Sequence, residues 1–183
     1  MQNTLNKNQC LLLCIDYQER LLPKIHMANE ITRNAVIMIR AARVLSIPII
    51  VTEQYPEGLG RTVNDIVEAL GEYYRPIEKT SFNNFESPEF VEKLDSVKPK
   101  QLLVMGIESH ICVYQTVLEA VRREYRVYLL EDATSSRNPE NRRIAFDRMI
   151  KEGAIASCVE MAIYELLRVS GTPEFKKILE FVK

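Results

Sequence analysis

This chain predicts an α/β fold in three layers, a six-stranded parallel sheet with helices on both sides, on three observations. Apolar runs of strand length recur along it, stretches of helical period separate them, and most of the runs are apolar at successive positions rather than alternate ones. Alternation of strand and helix specifies parallel strands joined by right-handed helical crossovers. Strands that are apolar on both faces need cover on both faces.

The strands read as 10–16 (CLLLCID), 47–52 (IPIIVT), a shorter 75–80 (RPIEKT), 101–106 (QLLVMG), 126–132 (RVYLLED) and a short 154–158 (AIASC). Between the first two, residues 30–45 place Ile31, Ala35, Met38, Ala42 and Leu45 on one stripe, an amphipathic helix that Ser46-Ile47-Pro48 ends. Ser87-Pro88-Glu89 and Asn138-Pro139-Glu140 each read as an N-cap, a proline at the first helical position and an acid in the first turn. They open helices over 88–97 and 139–152. Further helices are expected over 112–124, 159–169 and from 173 to the end. The apolar residues of the last one, Phe175, Ile178, Leu179 and Val182, suit either a docking face or closure of the chain's own core. Residues 53–61 (EQYPEGLGR) are the one long stretch of loop composition. They follow a strand directly, and ligands of open α/β sheets bind at the carboxyl ends of strands, so this loop belongs on the functional edge.

At 183 residues, with no repeat or linker, the chain reads as one domain over 1–183. Its 24 basic residues nearly cancel its 25 acidic ones, which predicts neither nucleic acid nor an anionic membrane as partner. The longest apolar stretch, 10–15, falls far short of the ~20 residues that span a bilayer, and residues 1–10 carry no signal-peptide core. Cys10, Cys14, Cys112 and Cys158 lack the spacing of a disulfide scaffold and include no C-x-x-C pair. A soluble, cytoplasmic protein with free thiols is expected.

Three residues carry candidate chemistry. Cys112 leaves the fourth strand and enters a helix, where free amides and the helix dipole favour thiolate. At an ordinary pKa near 8.5 only about 3% of a thiol is ionised at pH 7, so lowering it is worth a great deal to a nucleophile. Asp16 closes the first strand and faces the same edge, where a carboxylate can take up a thiol proton and return it to a leaving amine. Lys79, at the end of the third strand, can balance both charges. Each also has a plainer reading: a small buried hydrophobe, a turn cap and an exposed cation.

Together they form a pattern. Leu13-Cys-Ile-Asp-Tyr-Gln18, Glu78-Lys-Thr-Ser-Phe-Asn-Asn-Phe85, Gly106-Ile-Glu-Ser-His-Ile-Cys-Val113 and Val127-Tyr-Leu-Leu-Glu-Asp-Ala-Thr-Ser-Ser-Arg137 resemble the isochorismatase-like superfamily of cysteine hydrolases. That superfamily includes nicotinamidases and N-carbamoylsarcosine amidohydrolases, and the resemblance covers about residues 9–168. It implies a Rossmann-like sheet and a catalytic triad of Asp16, Lys79 and Cys112. Cys112 would be the nucleophile, Asp16 the proton shuttle and Lys79 the orienting cation. It also implies a cis peptide at Ile107-Glu108, an oxyanion hole from the backbone amides of Glu108 and Cys112, and self-association into a homo-oligomer.

Departures narrow the choice. Nicotinamidases carry an Asp-x-His-x-x-His metal site after the second strand, whereas the only histidines here are His26 and His110. No metal and no cofactor is therefore expected. Isochorismatases proper cleave a vinyl ether without a cysteine nucleophile, so Cys112 argues against that reaction. The segment Thr52-Glu-Gln-Tyr-Pro-Glu-Gly-Leu-Gly60 looks most like the isochorismatase-domain-containing branch. The expected activity is cleavage of a C–N bond in a small amide or carbamoyl compound.

Candidates for lining the site are Gln18, Gln54, Tyr55, Phe82, Phe85 and His110. The two glutamines suit an amide, and Phe82 and Phe85 suit an apolar wall or plain core. His110, two residues before the thiol, does not face it from a helix start and is expected at the rim. Cys10 and Cys14 share a face of a buried strand and are expected to be inert. Two other classes stay open: a catalytically idle scaffold that kept the fold, and a nucleotide-binding protein. No glycine-rich phosphate loop follows the first strand, where Asp16-Tyr-Gln-Glu-Arg-Leu stands instead.

Overall fold

A computed structural model describes residues 4–182. Six strands, β1 (Cys10–Ile15), β2 (Ile49–Gln54), β3 (Ile77–Lys79), β4 (Gln101–Ile107), β5 (Arg126–Ser135) and β6 (Ile155–Ser157), form one sheet in the order β3-β2-β1-β4-β5-β6. Every neighbouring pair is parallel. The longer helices are α1 (Ala28–Val44), α3 (Asn64–Leu70), α4 (Pro88–Val97), α5 (Tyr114–Arg122), α6 (Pro139–Lys151), α7 (Val159–Leu167) and α8 (Pro173–Val182). One further turn of helix, α2, spans Pro56–Leu59.

The pleat of β1 shows why the sheet is sandwiched. Cys10, Leu12 and Cys14 project into one apolar cluster, with Ala35 and Met38 of α1, Ile66 of α3 and Ile163 of α7. Leu11, Leu13 and Ile15 project into the other, with Phe90 of α4, Val117 of α5 and Phe146 of α6. All six β1 side chains are buried, as expected of a central strand whose neighbours on both faces are helices.

The strand order reverses between β1 and β4. Helix α1 leaves β1 on one face and α5 leaves β4 on the other, which opens a crevice beyond the carboxyl ends of these two strands. The backbones approach closely there. Gly106 has φ +147°, and a Cβ on it would lie 2.3 Å from the carbonyl oxygen of Ile15, so no side chain fits.

Several boundaries differ from the sequence expectation. Strand β2 starts and ends two residues later than 47–52, so Glu53 and Gln54 belong to the sheet rather than to the loop. Both are buried because their polar groups are paired inside the protein, a condition that residue type alone does not reveal. The loop that follows folds into α2 and is succeeded by α3, a helix not foreseen, which buries Ile66, Ala69 and Leu70. The helix expected from 112 begins at Tyr114, preceded by a π-helical turn over Ser109–Val113. Strand β5 runs on to Ser135, with an irregularity opposite Val104 and Gly106. Ile178 of α8 is 2% exposed and joins the first cluster, with Phe181 and Val182 packed against it. The terminal helix thus closes the chain's own core.

Candidate active site

Three strand ends bring the candidate residues together. Asp16 is the first residue past β1 and turns the chain there in the left-handed region, at φ 59°, a conformation that aspartate adopts more readily than most residues. Its backbone N–H donates to the Thr52 carbonyl at 3.1 Å. Lys79 is the last residue of β3. Its Nζ donates to Asp16 Oδ2 at 2.9 Å and to Gln54 Oε1 at 2.7 Å, with a longer contact to the Ser81 carbonyl at 3.3 Å. The other carboxylate oxygen, Asp16 Oδ1, accepts from Thr52 Oγ1 at 2.7 Å. Cys112 sits in the π-helical turn after β4, its Sγ 3.9 Å from the same Gln54 oxygen that Lys79 holds.

The ion pair is fully buried, with both side chains at 0% exposure, and Cys112 is 5% exposed. Burying a charge pair costs several kcal/mol per ion unless geometry and additional hydrogen bonds repay it. Here Thr52, Gln54 and the Ser81 carbonyl supply those bonds. Such an arrangement is poor value for stability alone, which makes the cluster a functional candidate.

The thiol is not the ready thiolate that its place at a helix start suggested. Burial pushes the Cys112 pKa well up, the Asp16 charge pushes it further, and Lys79 only partly opposes them. Desolvation and the neighbouring carboxylate thus work against the helix start, whose free amides favour thiolate. Cys112 lies beside the Asp16 carboxylate in surroundings that favour its protonated form. The peptide bond at Ile107-Glu108 is cis.

The remaining candidates separate into three groups. Gln18 and Gln54 form the inner wall and hold one another. Gln18 Oε1 accepts from the Gln54 backbone N–H at 2.7 Å, and Gln18 Nε2 donates to the carbonyls of Gln54 and Gly60 at 2.9 and 2.7 Å. Gln54 Nε2 donates to the Thr80 carbonyl at 2.7 Å. Tyr55 and Phe82 are about half exposed, at 53% and 51%, and the Tyr55 backbone N–H donates to the Lys79 carbonyl at 2.8 Å. Phe85 and His110 are engaged by other groups. Phe85 packs edge-on against Phe90, with Tyr125 and the Arg123 guanidinium against the same ring, a core role. His110 Nδ1 shares a 2.9 Å hydrogen bond with Ser136 Oγ at the rim.

Sequence reasoning missed Thr52, the second hold on Asp16. Its signal was a hydroxyl inside the apolar strand, in register with Ile15 beside Asp16. It also missed the Glu108 carboxylate, which accepts from the Arg137 backbone N–H at 2.9 Å and from Arg137 Nε at 3.0 and 3.1 Å, tying the cis-peptide turn to the end of β5. Cys10 and Cys14 are buried, with pKa values raised by desolvation, Cys10 to about 11. Among the described residues no group of three or more His, Cys, Asp and Glu side chains is placed to hold a metal ion. No described helix is long and apolar enough to cross a membrane.

Comparison with known proteins agrees with this fold. The family model of the isochorismatase domain matches residues 10–161. Isochorismatase domain-containing protein 2A of Mus musculus is 38% identical over 180 residues, 98% of this chain and 84% of that protein. The solved structure described as the MAR1 ribonuclease of Caenorhabditis elegans superposes with a TM-score of 0.91 at 38% identity, over 98% of this chain and 92% of that one. YcaC from Pseudomonas aeruginosa, described with hexane-2,5-diol and covalent acrylamide, gives a TM-score of 0.91 at 25% identity, over 99% and 92% of the two chains. With its doubly covered parallel sheet, its crevice between β1 and β4 and a domain match spanning both, this chain belongs to the isochorismatase family and has that family's hydrolase fold.

Proposed function

We propose that the protein is a metal-independent cysteine hydrolase that cleaves the C–N bond of a small amide or carbamoyl compound, with Asp16, Lys79 and Cys112 as its triad. The observation that carries this reading is the buried network in which Lys79 joins Asp16 to the Gln54 oxygen facing the Cys112 thiol. Because its surroundings favour the protonated thiol, attack and proton transfer are coupled. As Sγ bonds to the carbonyl carbon, its proton passes to Asp16, and Lys79 loses little of its partner's charge until that moment. The oxyanion rests on the backbone amides of Glu108 and Cys112. Asp16 then gives the proton to the departing nitrogen as the C–N bond breaks, and water, activated by the same carboxylate, hydrolyses the thioester. Tyr55 and Phe82 provide a half-exposed aromatic rim around the entrance. Acrylamide, held covalently by the Pseudomonas relative, is both a small primary amide and a thiol-reactive electrophile, which fits this chemistry.

The test measures ammonia or amine release from a panel of primary amides, ureas and N-carbamoyl amines. Cys112→Ala and Asp16→Asn are each expected to lose at least about 1,000-fold of the activity. Iodoacetamide labelling of Cys112 should separate the two roles of Asp16. Its charge disfavours thiolate, so Asp16→Asn moves the labelling profile to lower pH while turnover disappears. Activity that survives in Cys112→Ala would sink the proposal, and a cellular role that survives that substitution would favour the idle scaffold. The worm relative's description as a ribonuclease supplies a second reading, so single-stranded RNA belongs in the same panel. The near-zero net charge and the enclosed triad favour the small amide.

We extend the proposal to a homo-oligomer, supported by an apolar face left exposed on α7 by Met161 and Tyr164.

A further inference from the structure

One buried polar side chain is used neither by the proposed triad nor by the fold. Asn84 is 0% exposed, and neither its Nδ2 nor its Oδ1 has a hydrogen-bond partner. A carboxamide brings two donors and two acceptor lone pairs into the interior, and leaving them unpaired costs free energy that leucine or alanine would not. Buried polar groups are nearly always paired, so an orphan of this kind points to a ligand group that completes it.

Its location gives that ligand a context. Lys79 Nζ reaches the Ser81 carbonyl, and Ser81 Oγ donates to the Asn83 carbonyl at 3.1 Å. The Asn84 backbone N–H then donates to Thr116 Oγ1 at 3.1 Å, and Thr116 lies one helical turn beyond Cys112. Asn84 is therefore the residue at which the segment leaving the lysine is tied to the helix that follows the thiol. Its neighbour Phe85 shares an apolar cluster with Cys112.

We propose that Asn84 recognises the substrate, its Oδ1 accepting an N–H and its Nδ2 donating to an oxygen of an amide or ureido group. The inference rests on the reading of Cys112 as nucleophile and adds a selection rule to it: compounds of the same shape without an N–H are rejected.

Acetamide and acetone differ in little but that N–H. In a nitrogen-15 correlation spectrum of the whole protein, the Asn84 side-chain amide pair, identified by through-bond assignment from its own Cβ and backbone, shifts saturably with acetamide and not with acetone. Labelling of Cys112 gives a second readout. The ratio of iodoacetamide to iodoacetone rates, normalised to glutathione, falls about tenfold in Asn84→Leu, the loss of one or two neutral hydrogen bonds. An Asn84 pair unmoved by acetamide, or moved equally by acetone, overturns the proposal even if the variants fail to fold. A pair that answers acetamide while Cys112→Ala keeps full activity supports amide recognition and removes the hydrolase reading instead.

Discussion

Lys79 and Asp16 stabilise each other only as a pair. With both side chains at 0% exposure, removing one leaves the other charge in the interior without its counter-ion. Lys79→Met is expected to destabilise the protein by about 3–5 kcal/mol, and Asp16→Asn by a comparable amount. The double substitution should cost clearly less than the sum, because neither charge is then stranded. Urea unfolding of the four proteins measures this cycle, and additive losses would mean that the two side chains do not form the pair. At this scale Asp16 and Lys79 stood out because each follows or ends a strand run, and Cys112 because it stands where a strand gives way to a helix. The thiol's ionisation was not legible. The helix start is visible in sequence, whereas burial comes only with the fold and the Asp16 charge that opposes thiolate lies almost a hundred positions away. Thr52 and Asn84 were hidden for the same reason. A hydroxyl in a strand and an asparagine in a turn look ordinary until their partners, or the lack of them, are known.

The segment after β2 shows how an element can be misread when its polar residues are satisfied internally. Glu53 looked like the beginning of a loop, yet its side chain is 0% exposed within β2 and acts as the anchor of that loop. Its Oε1 accepts from the Thr62 N–H, the Thr62 hydroxyl and the Tyr74 hydroxyl at 2.7–2.8 Å, and its Oε2 pairs with Arg61, which also bridges to Glu78. The one-turn α2 and its flanks, which include Tyr55, are held to the sheet through this carboxylate. Burial raises its pKa, but the bonds from Thr62, Arg61 and Tyr74 outweigh burial and leave it below the ordinary value of 4.5. A lowered folded value means that the contribution is complete above about pH 4.5 and is lost as pH falls through the folded pKa. Glu53→Gln is expected to lower stability by about 1–3 kcal/mol at pH 7, with the difference from the parent narrowing below pH 4.5. Thermal melts from pH 3 to 7 test this, and a deficit constant across that range would show that the carboxylate charge is not what holds the loop. Elements with strong periodicity or caps, such as α1 and the proline-capped α4 and α6, were legible almost to the residue. Those depending on distant pairing, β2's end and α3, were not.

Over the whole molecule, the sequence implied a doubly covered parallel sheet because its strands are apolar on both faces, and it left the role of the last helix open. With Ile178 of α8 spent on the core, the terminal helix no longer supplies the apolar face that a homo-oligomer needs. Helix α7 supplies one instead. It buries Val159, Ala162, Ile163 and Leu166 inward, and one turn apart on the outside it leaves Met161 54% and Tyr164 42% exposed, with Val169 at 62% just beyond the helix. Exposed apolar side chains grouped on one element are what an interface between copies would cover, whereas isolated ones are ordinary surface. Placing a lysine at both positions would bury unpaired charges in such an interface. Met161→Lys with Tyr164→Lys is expected to weaken association at least about 100-fold, the equivalent of about 3 kcal/mol, while the fold, which uses neither side chain, melts as before. Sedimentation velocity at about 50 µM reads the outcome. A parent protein that sediments as a single chain would remove the oligomer from the proposal. A parent oligomer that survives both lysines would move its interface to another face, such as the outer side of α6, where Ile144 and Ile150 are also exposed.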